Sequence, residues 1–276
     1  MPRTFRIYLA CACIFLAALG SSISVVAENN DASGVSFTSE SFHGVPFTVA
    51  WVDLTTAKLE LFWKDTDNKP FVNFARLESW LGTQGKTLVV ATNSGIYAED
   101  RTPLGLHVAQ GQELRGLNPH TGGKGNFALK PNGVFYIDDA GAHIRTTEDY
   151  ATATPQPSLA VQSGPLLVID GALHPKFNAD STSVHFRNGI GVASPTRIAI
   201  VIANLPVNLH TFASYFRDVL NCPNALYLDG SLSGLYAPAI GRKTPGLEYV
   251  GILAVTAPAP KPAETEFDDS QGGANE

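Results

Sequence analysis

Short apolar runs separated by polar, Gly- or Asn-bearing breaks dominate this chain, the pattern of many short strands. Residues 45–52 and 57–63 alternate apolar and polar in part, as a first hairpin would. Phe71, Phe74, Leu77, Trp80 and Leu81 recur at helical spacing, and Gly82 and Gly85 close that helix. A buried strand at 87–91 runs into Asn93-Ser94-Gly95, and further short strands are predicted at 104–109, 127–129, 134–137, 159–162, 166–169, 189–193 and 197–203. A second helix over 209–220 puts Leu209, Phe212, Ala213, Phe216 and Leu220 on one face, with Asn208 as N-cap. Residues 225–228 form a strand ending at Asp229, and 249–255 supply the closing strand. Many strands with two or so helices specify an α+β fold with a mixed or largely antiparallel sheet in one domain, residues 41–256.

The ends differ in composition. Residues 28–40 are small and polar and read as a flexible lead-in; residues 257–276 open Ala-Pro-Ala-Pro-Lys-Pro and continue acidic, too polar to bury themselves. At the start, Arg3 and Arg6 precede an apolar run at 7–20 that is short for a bilayer span, and Val25-Val26-Ala27 offers a cleavage site. Residues 1–27 therefore read as a signal peptide, with an uncleaved anchor as the alternative. The expected protein is exported, periplasmic or extracellular, and not inserted in a membrane once cleaved. Cleavage after Ala27 leaves 17 basic residues of the original 19 against 25 acidic ones, a formal charge of −8. No basic stripe remains, which argues against nucleic acid. Only Cys222 survives processing, so no internal disulfide forms and stability rests on the core. Nothing in the sequence specifies an oligomeric state.

Four polar loops follow apolar strands. Asn93-Ser94-Gly95-Ile96-Tyr97-Ala98-Glu99-Asp100-Arg101 presents an amide at a strand end, and Gly95 permits close backbone approach to a ligand; an Asn/Gly turn explains it equally well. Gln162-Ser163-Gly164-Pro165 is a bend whose backbone N–H groups could form an anion-binding concavity, or a plain turn. Arg187 and Asn188 precede the Gly-interrupted strand Gly189-Ile190-Gly191, suiting either a bidentate phosphate or carboxylate clamp or a surface ion pair. Asp229-Gly230-Ser231-Leu232-Ser233 delivers a carboxylate and two hydroxyls, though Asp-Gly is also a common turn. Zinc-protease histidine spacing, paired-cysteine metal sites, a P-loop, a dinucleotide fingerprint and a nucleophile elbow are all missing. Gly122-Gly123-Lys124-Gly125 reads as a mobile loop.

At these loops the chain resembles the phosphodiester glycosidase domain family, that of the lysosomal uncovering enzyme and of many bacterial exported proteins, in particular a periplasmic branch. The resemblance rests on Asn93-Ser94-Gly95-Ile96-Tyr97, Ser163-Gly164-Pro165, the segment from Arg187 to Gly191, and Leu228-Asp229-Gly230-Ser231-Leu232-Ser233, and it spans roughly residues 40–256. Ser94 and Ser231 stand where the family has glycine, and Ile96 where it has an aromatic.

The resemblance implies hydrolysis of a sugar phosphodiester. Arg187, with backbone N–H groups near Gly164, would hold the phosphate; Asp229 would act at the anomeric carbon as base or nucleophile. Glu99 would be a reserve second carboxylate. Asn93 and Ser233 would position sugar hydroxyls, with Gly95, Gln162, Ser163, Asn188, Gly230 and Ser231 completing the binding set. A phosphate monoester leaves without protonation, so one carboxylate could suffice where ordinary glycosidases need two. No cofactor is implied; if the P–O bond were the one cleaved, Asp229, Glu99 and backbone carbonyls could recruit calcium. The alternative is a non-catalytic module of the same fold that binds glycan or envelope polymer.

Overall fold

The computed structural model describes residues 33–120, 122–229, 232–243 and 247–260. The expected signal peptide, Gly230, Ser231 and most of the expected acidic tail lie outside the described residues. In chain order the first elements are β1 (Val35–Phe42), β2 (Val45–Asp53), β3 (Leu59–Phe62), α1 (Phe74–Thr83), β4 (Lys86–Asn93), β5 (His107–Ala109) and β6 (Gln112–Arg115). Then come β7 (Gly133–Asp138), β8 (Gly141–Thr146), α2 (Thr147–Ala153), β9 (Leu159–Ser163), β10 (Leu166–Ile169), β11 (Ala172–Leu173), β12 (Asn188–Ser194) and β13 (Arg197–Ala203). The last are α3 (Leu209–Ser214), β14 (Asn224–Asp229), β15 (Leu235–Tyr236) and β16 (Ile252–Pro258).

The strands form three antiparallel sheets. One is ordered β1-β2-β13-β12-β14-β10-β11, the second β15-β4-β16-β3 and the third β6-β5-β9-β7-β8. Several hairpins close on two residues that both adopt positive φ: His43-Gly44, Gln110-Gly111 and Asp170-Gly171. That turn matches the twist of paired strands and calls for glycine at its second place.

The inner faces of all three sheets bury one another: Ile190, Ile200, Leu226 and Leu228 of the seven-stranded sheet meet Val90, Leu253 and Val255 of the second and Phe135 and Val161 of the third. Helices cover the outer faces. On the seven-stranded sheet, Phe212 and Phe216 pack with Phe47, Val201 and Tyr227. α1 sets Phe74, Leu77 and Leu81 over β4 and β16. Tyr150 of α2 packs on Tyr136 and Ala160. This is the α+β, single-domain architecture expected, with Cys222 a buried free thiol.

The expected hairpin of 45–52 with 57–63 is not formed. β2 pairs with β1 and β13, whereas β3 pairs with β16 in another sheet. β2 is buried on both faces between Phe47 and Ala50, which is why its alternation was only partial. β1 occupies part of the expected flexible lead-in: Val35 and Phe37 alternate inward and the strand pairs with β2 throughout. Residues 126–129 make a turn instead of a strand, with the Leu129 amide on the Asn126 carbonyl. The second helix is α-helical only to Ser214 and continues as a π-helical turn, Tyr215–Val219. Its N-cap is Asn208, whose side chain accepts from the Thr211 amide.

Candidate active site where three sheets meet

Four strand ends from three sheets converge. β4 ends at Asn93, β9 at Ser163 and β14 at Asp229, while β12 begins at Asn188. Asn188 is the hub. Its Nδ2 donates to Thr92 Oγ1 at 2.8 Å, Asn93 Oδ1 at 2.9 Å and the Asn93 carbonyl at 3.0 Å. Its Oδ1 accepts from the Asp229 amide at 3.1 Å and Ser233 Oγ at 3.3 Å. Asn93 Oδ1 also accepts from the Gly234 amide at 3.0 Å, and Thr92 Oγ1 donates to the Gly234 carbonyl at 2.8 Å. Asn93, Asn188 and Asp229 are all buried. Buried amides with this many partners fix one geometry, because each unmade bond carries a desolvation cost.

A bulge aims the acid. β12 and β14 pair Gly189 with Tyr227 but Asn188 with Asp229, so Leu228 is extra. Without that slip Asn188 would oppose Leu228; with it, the carboxylate-bearing residue stands opposite the amide hub. The Leu228 carbonyl accepts from Ser163 Oγ at 2.9 Å, tying the third sheet to the bulge. Ser233 Oγ lies 2.7 Å from the Asp229 carbonyl and 3.1 Å from the Phe186 carbonyl, closing the loop after the acid. Phe186 itself is about half exposed.

A cleft of about 400 Å³ opens at Tyr97, Glu99, Arg101, Leu232, Glu248 and Tyr249. Burial raises the Tyr97 and Tyr249 phenol pKa values, and the Asp229 charge raises both further. Burial likewise pushes Tyr227 up to about 12, with Arg187 opposing and Asp229 reinforcing the shift. All three phenols thus stay protonated, and each feels the Asp229 charge. Arg101 pairs with Glu248 at 2.5 Å on the cleft rim.

Arg187, the expected phosphate clamp, is buried against protein acceptors. It is 1% exposed, and its Nε donates to the Val207 carbonyl at 2.6 Å, Nη1 to Tyr227 Oη at 2.8 Å and Nη2 to the Ser183 carbonyl at 3.0 Å. A guanidinium so engaged braces the 183–188 segment. The neighbouring glycines have a packing reason as well. A Cβ at Gly191 would stand 2.7 Å from Phe216 and 2.8 Å from Cys222 Sγ, and one at Gly189 would be 3.0 Å from the Leu226 carbonyl. Gln162 is likewise spent inside. Its Oε1 accepts from the Leu106 and Asn118 amides, and its Nε2 donates to the Asn118 carbonyl and Thr147 Oγ1. Gly164 lets the chain pass Asn132, whose Cβ would lie 2.5 Å from an added Cβ, and Gly95 lies against Val161. Glu99 stands exposed on the cleft rim. Gly230 and Ser231 fall outside the described residues. Among the described residues no group of three or more His, Cys, Asp or Glu is placed to hold a metal ion.

Thr92, Gly234 and Tyr249 were missed. Thr92 sits within an apolar strand run and Tyr249 in the segment just before β16, which starts at Ile252 and not at 249 as expected, so neither carries a local signal, and Gly234 reads as an ordinary loop glycine.

A family model described as phosphodiester glycosidase matches residues 86–248, more than half of the chain. The chain belongs to the phosphodiester glycosidase family. It is 31% identical over 185 residues to the uncharacterised protein YigE of Escherichia coli strain K12, covering 67% of this chain and 72% of that one. The catalytic domain of zebrafish N-acetylglucosamine-1-phosphodiester alpha-N-acetylglucosaminidase superposes with a TM-score of 0.56 over 84% of this chain and 86% of its own, at 13% identity. A hypothetical protein from Synechocystis gives 0.53 over 81% and 62%, at 14% identity. At such identities these two likenesses speak for the fold alone. Within the phosphodiester glycosidase span lie Asn93, Ser163, Asn188 and Asp229, the residues that meet at the junction.

Proposed function

We propose that this protein hydrolyses sugar phosphodiesters, with Asp229 as the base that takes a proton from the attacking water. The C–O bond at the anomeric carbon then breaks, its electron pair leaving on the phosphate oxygen. The products are the free sugar and a phosphate monoester, which departs without protonation. The observation that carries this reading is the bulged Asp229, held by the Asn188 amide hub where three sheets meet and flanked by protonated phenols. Asn93 and Ser233 position the sugar, and Arg187 contributes by bracing the segment that carries Asn188. The basic, apolar and small-residue order of residues 1–27 supports export to the periplasm or outside the cell.

The test is turnover of a panel of p-nitrophenyl glycosides and sugar 1-phosphodiesters by the wild type and Asp229→Asn. A positioned base contributes about 10²- to 10⁴-fold, so the variant should lose that much in kcat with its fold intact. One observation favours a second reading, a glycan-binding module without turnover: the only cation expected to hold phosphate, Arg187, is committed to protein acceptors. Sugar phosphate binding with no hydrolysis by the wild type would select it.

A further inference from the structure

Tyr249 is 2% exposed, yet its hydroxyl has no hydrogen-bond partner among the described residues. Such a group is costly to keep, because a phenol in water is always bonded and a buried one normally finds a partner. The fold nevertheless goes to some length to hold it. The Tyr249 amide donates to the Val72 carbonyl at 2.6 Å, and Val72 sits at φ 57°, a left-handed conformation that a β-branched residue seldom adopts. The ring packs on Phe74, with centroids 4.7 Å apart. Position 234 must be glycine for the hydroxyl to lie where it does: an added Cβ would stand 1.9 Å from the Tyr249 oxygen. The Gly234 amide is the one bonded to Asn93 Oδ1, so the phenol shares a nook with the amide hub and also lines the cleft. The ring is thus part of the core under α1, while the strained Val72, the obligatory Gly234 and the unpartnered hydroxyl beside them are outliers of the kind that accompany ligand sites.

We propose that the Tyr249 hydroxyl binds a phosphoryl oxygen of the sugar phosphate seated at Asp229. This rests on the hydrolase or binding reading above and deepens it by naming the phosphate donor. With the Arg187 guanidinium spent inside, a neutral donor takes its place. Burial and the Asp229 charge both keep the phenol protonated, so it donates at every working pH. A neutral donor also does not quench the carboxylate, as an ion pair with Asp229 would.

The test is calorimetric binding of N-acetylglucosamine 1-phosphate, glucose 1-phosphate and the two free sugars to the wild type and Tyr249→Phe, with thermal midpoints and turnover of the phosphodiester panel alongside. The variant loses only an unpaired hydroxyl, so its midpoint should stay level or rise. A hydrogen bond to a charged oxygen corresponds to about 10- to 150-fold in affinity, and the sugar phosphates should weaken by that much while the free sugars do not. This pattern with no turnover by any protein upholds the Tyr249 assignment and sinks the hydrolase. Equal affinities in both proteins, equal weakening for phosphates and free sugars, a fallen midpoint, or no sugar phosphate binding by the wild type would each overturn the assignment.

Discussion

Arg187 and Asn188 are chain neighbours with opposite fates, and the two sides of β12 they serve differ in kind. On the helix side, Arg187, Tyr227 and the Gly189 and Gly191 gaps under Phe216 form a packed surface in which Nε, Nη1 and Nη2 of the guanidinium each donate to a carbonyl or a phenol. On the junction side, Asn188 ties together Asn93, Thr92, Asp229 and Ser233, and the phenol of Tyr249 is left without a partner. The first side is complete without ligand; the second is rigid yet holds a donor in reserve. A strand's period of two separates scaffold from site within one dipeptide, and residue type alone does not say which is which.

The comparison can be broken by mutation. The largest expected effect on stability is from Arg187→Met, which leaves the Val207 and Ser183 carbonyls and the Tyr227 hydroxyl without their donor. At about 1 kcal/mol or more for each, the loss in urea unfolding is about 3 kcal/mol. Arg187→Lys should not rescue it, since one ammonium cannot span three acceptors. Unchanged stability with lost sugar phosphate affinity would return Arg187 to the site. Asn188→Asp comes next. It removes the donors to Thr92 and Asn93 and puts a charge beside Asp229, for an expected loss of about 2 kcal/mol, together with loss of ligand binding.

An effect as large as that of Arg187→Met appears only with pH. His107 is buried with Nε2 unpartnered, and burial lowers its pKa to about 4 from 6.5. Between those values the unfolded chain binds a proton that the native protein does not, so stability falls as pH drops from 6.5 towards 4 and the contribution is fully present above 6.5. The wild type should lose about 3 kcal/mol more than His107→Leu over that window, read by urea unfolding at pH 7 and near pH 4. Equal slopes would show that His107 is protonated in the native protein. Smallest is Glu99→Gln: an exposed side chain on the rim should change stability by less than about 0.5 kcal/mol and turnover by less than a few-fold. A fall of a hundredfold would make Glu99 the second carboxylate.

Much of this was legible in the sequence where the signal is local. Asn208 capping, the apolar face of Phe212 and Phe216, and strand ends at Asn93 and Asp229 follow from spacing and side-chain chemistry. What was not legible depends on distant partners. β3 pairs with β16, nearly two hundred residues on, so its proximity to β2 in the chain was misleading. Asp170-Gly171 carried a hairpin signal for β11 that is only two residues long. α2 begins on Thr146, whose side chain accepts from the Asp149 amide, but seven residues give little periodicity to detect. An arginine before a glycine-rich strand suits an anion, and the tertiary acceptors that engage Arg187 inside the fold carry no signal in the sequence. Tyr249 matters through Gly234 and Val72, which no reading of its neighbours in the chain connects to it.

The most direct test of the division between scaffold and site is a crystal structure of the protein with a sugar 1-phosphate bound. The account predicts the ligand in the cleft at Tyr97, Leu232 and Tyr249, its phosphate on the Tyr249 hydroxyl and its sugar towards Asp229, and Arg187 still on Val207, Ser183 and Tyr227. A phosphate held by the Arg187 guanidinium, with those three contacts broken, would contradict it.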